Sequence, residues 1–169
     1  MLNLRGALAV FVSVVATMST AGYAKADAVR WRHSFHLNHA STYVVNDRAG
    51  HVVGAGSGTG LGFWPHDQVA TMDLTYYVDF QNSGGPFVAY EVYTFRDGST
   101  VNVKRVGRTT EDPATHIATL RGTFIFVSGS GRFAGIAGRG TFVGKRLRAL
   151  KAGADQYIDF SGTYKVAGR

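Results

Sequence analysis

Strict alternation of apolar and polar side chains is the feature that most limits what this chain can become. Val29, Trp31, His33, Phe35 and Leu37 fall on one side of an extended segment, and Arg30, Arg32, Ser34, His36 and Asn38 on the other. Period two with one apolar face predicts a half-buried strand, because successive side chains of an extended backbone point to opposite faces. The pattern returns over 69–80, where Ala70, Met72, Leu74, Tyr76, Val78 and Phe80 oppose Val69, Thr71, Asp73, Thr75, Tyr77 and Asp79. Segment 87–95 is apolar on both faces apart from Glu91. Such a strand is covered on both sides, in a sandwich or in a barrel whose outer wall meets another subunit. Further strands are expected at 43–45, 51–53, 101–106, 116–127, 141–147 and 157–166, about eight in all. Beyond residue 26 no stretch carries a convincing helical period, and 147–154 has room for a single turn.

The segments between strands have turn composition. Asn46-Asp47-Arg48-Ala49-Gly50 and Gln81-Asn82-Ser83-Gly84-Gly85-Pro86 read as turns, and Arg96-Asp97-Gly98-Ser99 carries Asp-Gly, the strongest short-range hairpin signal. Phe63-Trp64-Pro65-His66-Asp67 reads as a loop with an aromatic anchor, and 108–114, with Glu111-Asp112-Pro113, as a polar loop. Consecutive hairpins favour an all-β fold, a single antiparallel up-and-down β-barrel of about eight strands, because closure removes exposed edges.

Two glycine segments sharpen this. Over 54–62 every second residue is glycine. If extended, that segment has one face without side chains, which allows close backbone approach or tight curvature; a loop is the alternative. The second is Gly129-Ser130-Gly131-Arg132-Phe133-Ala134-Gly135-Ile136-Ala137-Gly138. Its first six residues fit the dinucleotide pattern G-x-G-x-x-A, which requires a helix directly afterwards and an acid about 20 residues on. Gly135, Gly138 and Gly140 would break that helix, and the first acid downstream is Asp155. Gly129, Gly131, Phe133, Gly135 and Gly138 are therefore expected to form a crowded connection between two strands, with Phe133 and Ile136 as packing anchors. Gly144-Lys145 fails as a phosphate loop, because Arg139 and Arg146 stand where a glycine and a hydroxyl are needed.

Residues 1–26 read as a cleavable signal peptide: Arg5, an apolar run over 7–16, then the small-x-small Ala24-Lys25-Ala26. The barrel domain is expected over 27–169, in a secreted or periplasmic protein. The run of about ten apolar residues is too short to span a bilayer, so no membrane span is expected after cleavage. Without Arg5 and Lys25, 16 of the 18 Lys and Arg remain against 11 acids, a net charge of +5. That is a solvated, mildly basic surface. Nucleic acid is not expected as a partner, because the longest basic run is Lys145-Arg146-Leu147-Arg148, with no aromatics interleaved. With no cysteine, the core alone must stabilise the fold.

Side chains that could do chemistry are few. His33, His36 and His39 are spaced by three, but on a strand His36 faces away, and His33 and His39 lie about 20 Å apart, so no metal is expected there. No serine sits in a nucleophile-elbow context. What remains is a lumen, which in a barrel of about eight strands is either filled by side chains or holds one small ligand. His33, Asp73, Tyr77 and Glu91, polar residues within apolar strands, are the candidates for orienting such a ligand. Desolvation in the lumen would raise the pKa of Glu91 toward acid or base use.

Tyr90-Glu91-Val92-Tyr93-Thr94-Phe95-Arg96-Asp97-Gly98, then Gly122-Thr123-Phe124 leading into the second glycine segment, resembles the central hairpins of the allene oxide cyclase and dirigent-like barrels. Tyr157-Ile158-Asp159-Phe160-Ser161-Gly162-Thr163-Tyr164 is similar to their last strand. The resemblance is to a bacterial secreted member of that superfamily. It implies an eight-stranded antiparallel barrel with a largely apolar lumen, often a trimer, whose plant members steer ring closure or radical coupling of a lipid or phenol without a cofactor. The plant cyclases place a glutamate in the first strand, whereas 29–38 has none, so no catalytic residue is carried over. Two expectations follow. One is a small apolar or phenolic molecule in the lumen, with no cofactor. The other is a non-catalytic envelope module assembling through its outer wall around 87–95, as a dimer or trimer.

Overall fold

The computed structural model describes residues 26–148, 153 and 155–168, so the signal peptide expected at 1–26 lies, but for its last residue, outside the described residues. The expected strands all form: β1 (Asp27–Val44), β2 (His51–Trp64), β3 (Gln68–Gln81), β4 (Gly85–Phe95), β5 (Thr100–Glu111), β6 (Ala118–Gly129), β7 (Ala137–Arg146) and β8 (Gln156–Lys165). Each pairs antiparallel with the next, and β8 returns to β1 to close a barrel. Strand β4 lies in a barrel and not a sandwich, and it is covered on its inner face only: outward Tyr90 and Val92 are 43% and 40% exposed. Among the described residues no helix is long and apolar enough to cross a membrane.

Several boundaries differ from the sequence reading: the segments expected at 29–38 and 43–45 are one continuous β1, and β7 begins at Ala137 and not at 141. The glycine-alternating segment 54–62 is strand, and β2 continues through Phe63 and Trp64 before a short loop at 65–67. Strand β5 runs on to Glu111 where a loop was expected, because Thr109 keeps the inward parity of Val101 and Val103 and is buried. The following turn is held by Asp112, whose carboxylate accepts the backbone N–H of Ala114 and Thr115. His116 is not the start of β6: its φ of 57° takes the backbone out of the extended region, and the strand begins at Ala118.

On β2 the inward positions are Gly54, Gly56, Gly58, Gly60 and Gly62, set against Thr42, Ala40, Leu37, Phe35 and His33 of β1. This bare wall is where the large lumen rings lie. A Cβ on Gly62 would sit 2.8 Å from the Tyr93 ring, and one on Gly56 2.6 Å from the Tyr76 hydroxyl. The second glycine segment makes a three-residue 3-10 turn (Gly131–Phe133), not a helix, and then feeds β7. Gly131 and Gly135 have φ of 57° and 72°, the left-handed region that side chains avoid. Ile136 is buried and Phe133 packs on the core, its ring 4.9 Å from that of Phe95.

The lumen is layered. At the end where β1 begins, a cavity of about 260 Å³ is lined by Val29, Trp64, Phe95, Phe126 and Ile136 among others. The middle is solid: Trp31 stacks between Trp64 and Phe160, centroids 4.6 and 4.2 Å away, with Phe124 packed edge-on. At the far end lies a small chamber, about 30 Å³ as measured by the centre of a water-sized sphere.

Candidate functional site

The β4 alternation puts Glu91 and Tyr93 on the inward face, and pairing of Ala89 with Arg105 brings β5 alongside. Strand β1 contributes Trp31 and His33. All four polar members, His33, Glu91, Tyr93 and Arg105, are at most 1% exposed. The hydroxyl of Tyr93 donates to Glu91 Oε2 (2.8 Å), and Arg105 Nε donates to Glu91 Oε1. Since the phenolic proton is committed to Glu91, the 2.7 Å contact between His33 Nδ1 and Tyr93 Oη must have His33 as donor. Trp31 Nε1 donates to the same oxygen at 3.3 Å. His33 is thereby fixed as the Nδ1–H tautomer, and its buried Nε2, a bare acceptor, has no partner among the described residues.

Burial dominates the electrostatics here. It drives the His33 pKa well below the usual imidazole value, helped by the Arg105 charge, so the ring is neutral. Burial pushes the Glu91 carboxyl above the ordinary carboxylate range, while the Arg105 charge and the hydrogen bonds from Tyr93 and Arg105 pull it part of the way back. Tyr93 is held well above a free phenol, by burial first and then by the Glu91 charge. The Arg105 guanidinium lies 5.0, 5.6 and 5.8 Å from the ring centroids of Phe142, Phe87 and Phe160, a cage that takes up part of the cost of burying the cation.

Of the four lumen candidates named from sequence, the barrel brings together two. His33 and Glu91 are inward, 3.8 Å apart across Tyr93. Asp73 and Tyr77 are corrections: both lie on the outer wall of β3, Tyr77 at 50% exposure, because they share the parity of Thr71 and Thr75 opposite the buried Met72, Leu74 and Tyr76. The three histidines stay apart. His36 pairs with Asp155 and His39 with Ser41 on the exposed side, and no metal-ligating group of three is present among the described residues.

The sequence reading missed Tyr93, Arg105 and a second buried arginine, Arg146, whose Nη2 donates to Glu111 Oε2 at 2.8 Å. Extending the parity of Val101 and Val103 by one step would have placed Arg105 inside. The far-end chamber is walled by Phe35, Leu74, Phe80 and Phe87, and its polar lining comes from Tyr76, Arg105, Thr109, Arg146 and Gln156. Three of its buried polar atoms, Tyr76 Oη, Arg105 Nη1 and Arg146 Nε, have no partner among the described residues. Burial lowers the Arg146 pKa, with Glu111 and Tyr76 opposing, and raises that of Tyr76, with Arg146 opposing.

No known family matches the chain by sequence, and no curated protein matches it. Among solved structures it is similar to two pterocarpan synthase dirigent proteins. One is 13% identical with a TM-score of 0.48, covering 91% of this chain and 96% of the other; the second is 14% identical with a TM-score of 0.45, covering 83% and 96%. It is also similar to a nonspecific heme-binding cyclase that catalyses a [4 + 2] cycloaddition during neoabyssomicin biosynthesis, at 16% identity and a TM-score of 0.46, over 85% of this chain and 69% of that one.

Proposed function

We propose that the protein is a small-molecule-binding barrel. It holds a compact apolar or phenolic molecule in the far-end chamber and steers its ring closure or coupling, without a cofactor, by shape and by fixed polar groups. The observation that carries this reading is the chamber itself: apolar walls with three buried, unpartnered polar atoms among its lining residues. Leaving such groups dry and unpaired costs free energy, about 1–3 kcal/mol each, and a ligand that supplies partners recovers it. Convergent polar groups in an apolar concavity are the ordinary make-up of a small-molecule site. Steering would come from restricting the bound conformer, with the Glu91–Tyr93–His33 chain as an immobile set of dipoles behind Arg105.

Ala89, which is buried and lines the chamber, offers the test. Titration with small phenols followed by NMR should shift resonances of the chamber residues, and Ala89→Phe, which fills the space, should abolish those shifts. A library that leaves the chamber resonances unmoved, or binding indifferent to Ala89→Phe, would sink the reading. Export is proposed on the sequence pattern of 1–26 alone, and mass spectrometry of the secreted protein should then find a chain beginning at Asp27.

One observation favours a second reading, assembly through the outer wall. Tyr43, Val53, Tyr77, Val88 and Val106 line one apolar groove that crosses five neighbouring strands. Sedimentation at high concentration should then give a dimer or trimer that Tyr77→Lys dissociates, and a monodisperse monomer would remove this reading.

A further inference from the structure

We propose that the far-end chamber is built for a compact organic anion, an apolar body ending in one carboxylate that is received by Arg105, Arg146 and Tyr76. This deepens the lumen-binding reading and rests on it. The argument is an inventory of what the chamber lacks. Arg105 uses Nε on Glu91 and Arg146 uses Nη2 on Glu111, leaving Arg105 Nη1 and Arg146 Nε buried without partners among the described residues. A guanidinium N–H can only donate. The Tyr76 hydroxyl, also unpartnered, can donate as well. The unmet demand is therefore for acceptors. A planar carboxylate offers two oxygens with several lone pairs, and it is the group that arginine geometry matches best.

The competing head groups fit less well. An ammonium would add donors to a site already rich in them and would face two guanidiniums. A neutral alcohol or amide brings an acceptor but no charge. A dianion would exceed what the lining can neutralise, since each arginine already has one carboxylate partner. The chamber offers only about 30 Å³ to the centre of a water-sized sphere, room for a small head group on a short stem. With Phe35, Phe80 and Phe87 in the walls, it suits a short alkyl body better than a long chain. Burial also lowers the Arg146 pKa despite Glu111, the behaviour of a cation whose surroundings hold too little negative charge.

Calorimetry on the whole mature chain with butyrate, its neutral primary amide and the matching butylammonium tests this. The acid should bind about tenfold more tightly than the amide, as one charged hydrogen-bonded contact would give, and the ammonium most weakly. Arg146→Gln should bring acid and amide close to parity by weakening the acid alone. Tyr76→Phe, which removes only a hydroxyl and keeps the fold should Arg146→Gln lose it, should reduce the ratio in the same sense. Equal affinity of acid and amide in the wild type overturns the anion inference and leaves lumen binding standing. A preference for the acid that neither variant moves also overturns it, because the anion would then be seated elsewhere. If none of the three binds, the lumen-binding reading itself fails, and this inference with it.

Discussion

Glu91 is 1% exposed, between the Arg105 guanidinium and the Tyr93 hydroxyl, and its removal leaves each of them in a different difficulty. Glu91→Leu strands Arg105 as a buried cation with no counter-charge, a change that costs about 3–5 kcal/mol in comparable settings. The double change Glu91→Leu with Arg105→Met removes both charges and should recover most of that loss. Urea unfolding of the two variants checks the pair, and equal destabilisation would show that the charges are not coupled. Two histidines make a second prediction, with opposite signs. His33 has a folded pKa far below its unfolded value near 6.5, so below about pH 6.5 the unfolded chain takes up a proton that the folded chain refuses, and stability falls with acid. When protonated, His51 donates from both ring nitrogens, to Asp47 at 2.6 Å and to Asp79 at 2.8 Å, and these two bonds raise its pKa against burial and the charge of Arg48. Its contribution is complete below about pH 6.5 and disappears as pH rises through the raised folded value. Between about pH 7 and pH 5, His33→Gln should therefore lose less stability than the wild type, and His51→Gln more, in melts at each pH.

At the scale of the strand, β2 shows what an absent side chain can do. The ring of Tyr93 lies where a Cβ on Gly62 would reach it at 2.8 Å, with Trp64 Nε1 at 2.9 Å. Gly62→Ala forces two buried aromatics to shift and should cost about 1–3 kcal/mol, the usual result of overpacking. Gly98→Ala, in the 96–99 hairpin where a Cβ meets nothing within 4 Å, should cost about 1–2 kcal/mol through its φ of 79° alone. Thermal melts separate the two, because only Gly62→Ala should also change the tryptophan emission. The same strand shows how far the sequence can be read. Alternation is visible only where both faces carry side chains and one face is the more apolar, so 69–80 was legible as strand and 54–62, bare on one face, was open between strand and loop. Parity also sorts the site. Glu91 and His33 share their face with apolar neighbours and are inward, whereas Asp73 and Tyr77 share theirs with threonines and are outside. Arg105 escaped notice because Lys104-Arg105 reads as a solvated pair and Val106, 47% exposed, breaks the apolar parity. That a guanidinium is caged by rings from β4, β7 and β8 depends on closure, which no local pattern encodes.

On the scale of the whole molecule, closure leaves a ligand two ways in, and the solid middle layer makes them unequal. Every strand is paired on both sides, so access through the wall would require breaking a ladder. From the end where β1 begins, the path is crossed by the Trp64–Trp31–Phe160 stack and then by Tyr93 and Phe124. None of Trp31, His33, Tyr93, Phe124 or Phe160 lines either of the two lumen cavities, which places a layer of packed side chains between them. Large rings in a packed interior do not part without loss of many contacts, so the far end is the route to the chamber. Gln156, the first residue of β8, is buried and lines the chamber, and its side chain has no hydrogen bond to lose among those found in the described residues. Asp27, the first residue of β1, is exposed and lines the opposite cavity. Gln156→Trp should therefore abolish binding of a chamber ligand, and Asp27→Trp should leave its affinity and its on- and off-rates unchanged, as read by calorimetry and stopped-flow. If Asp27→Trp instead slowed association, the ligand would be passing through the aromatic layer, and that layer would have to open on the timescale of binding.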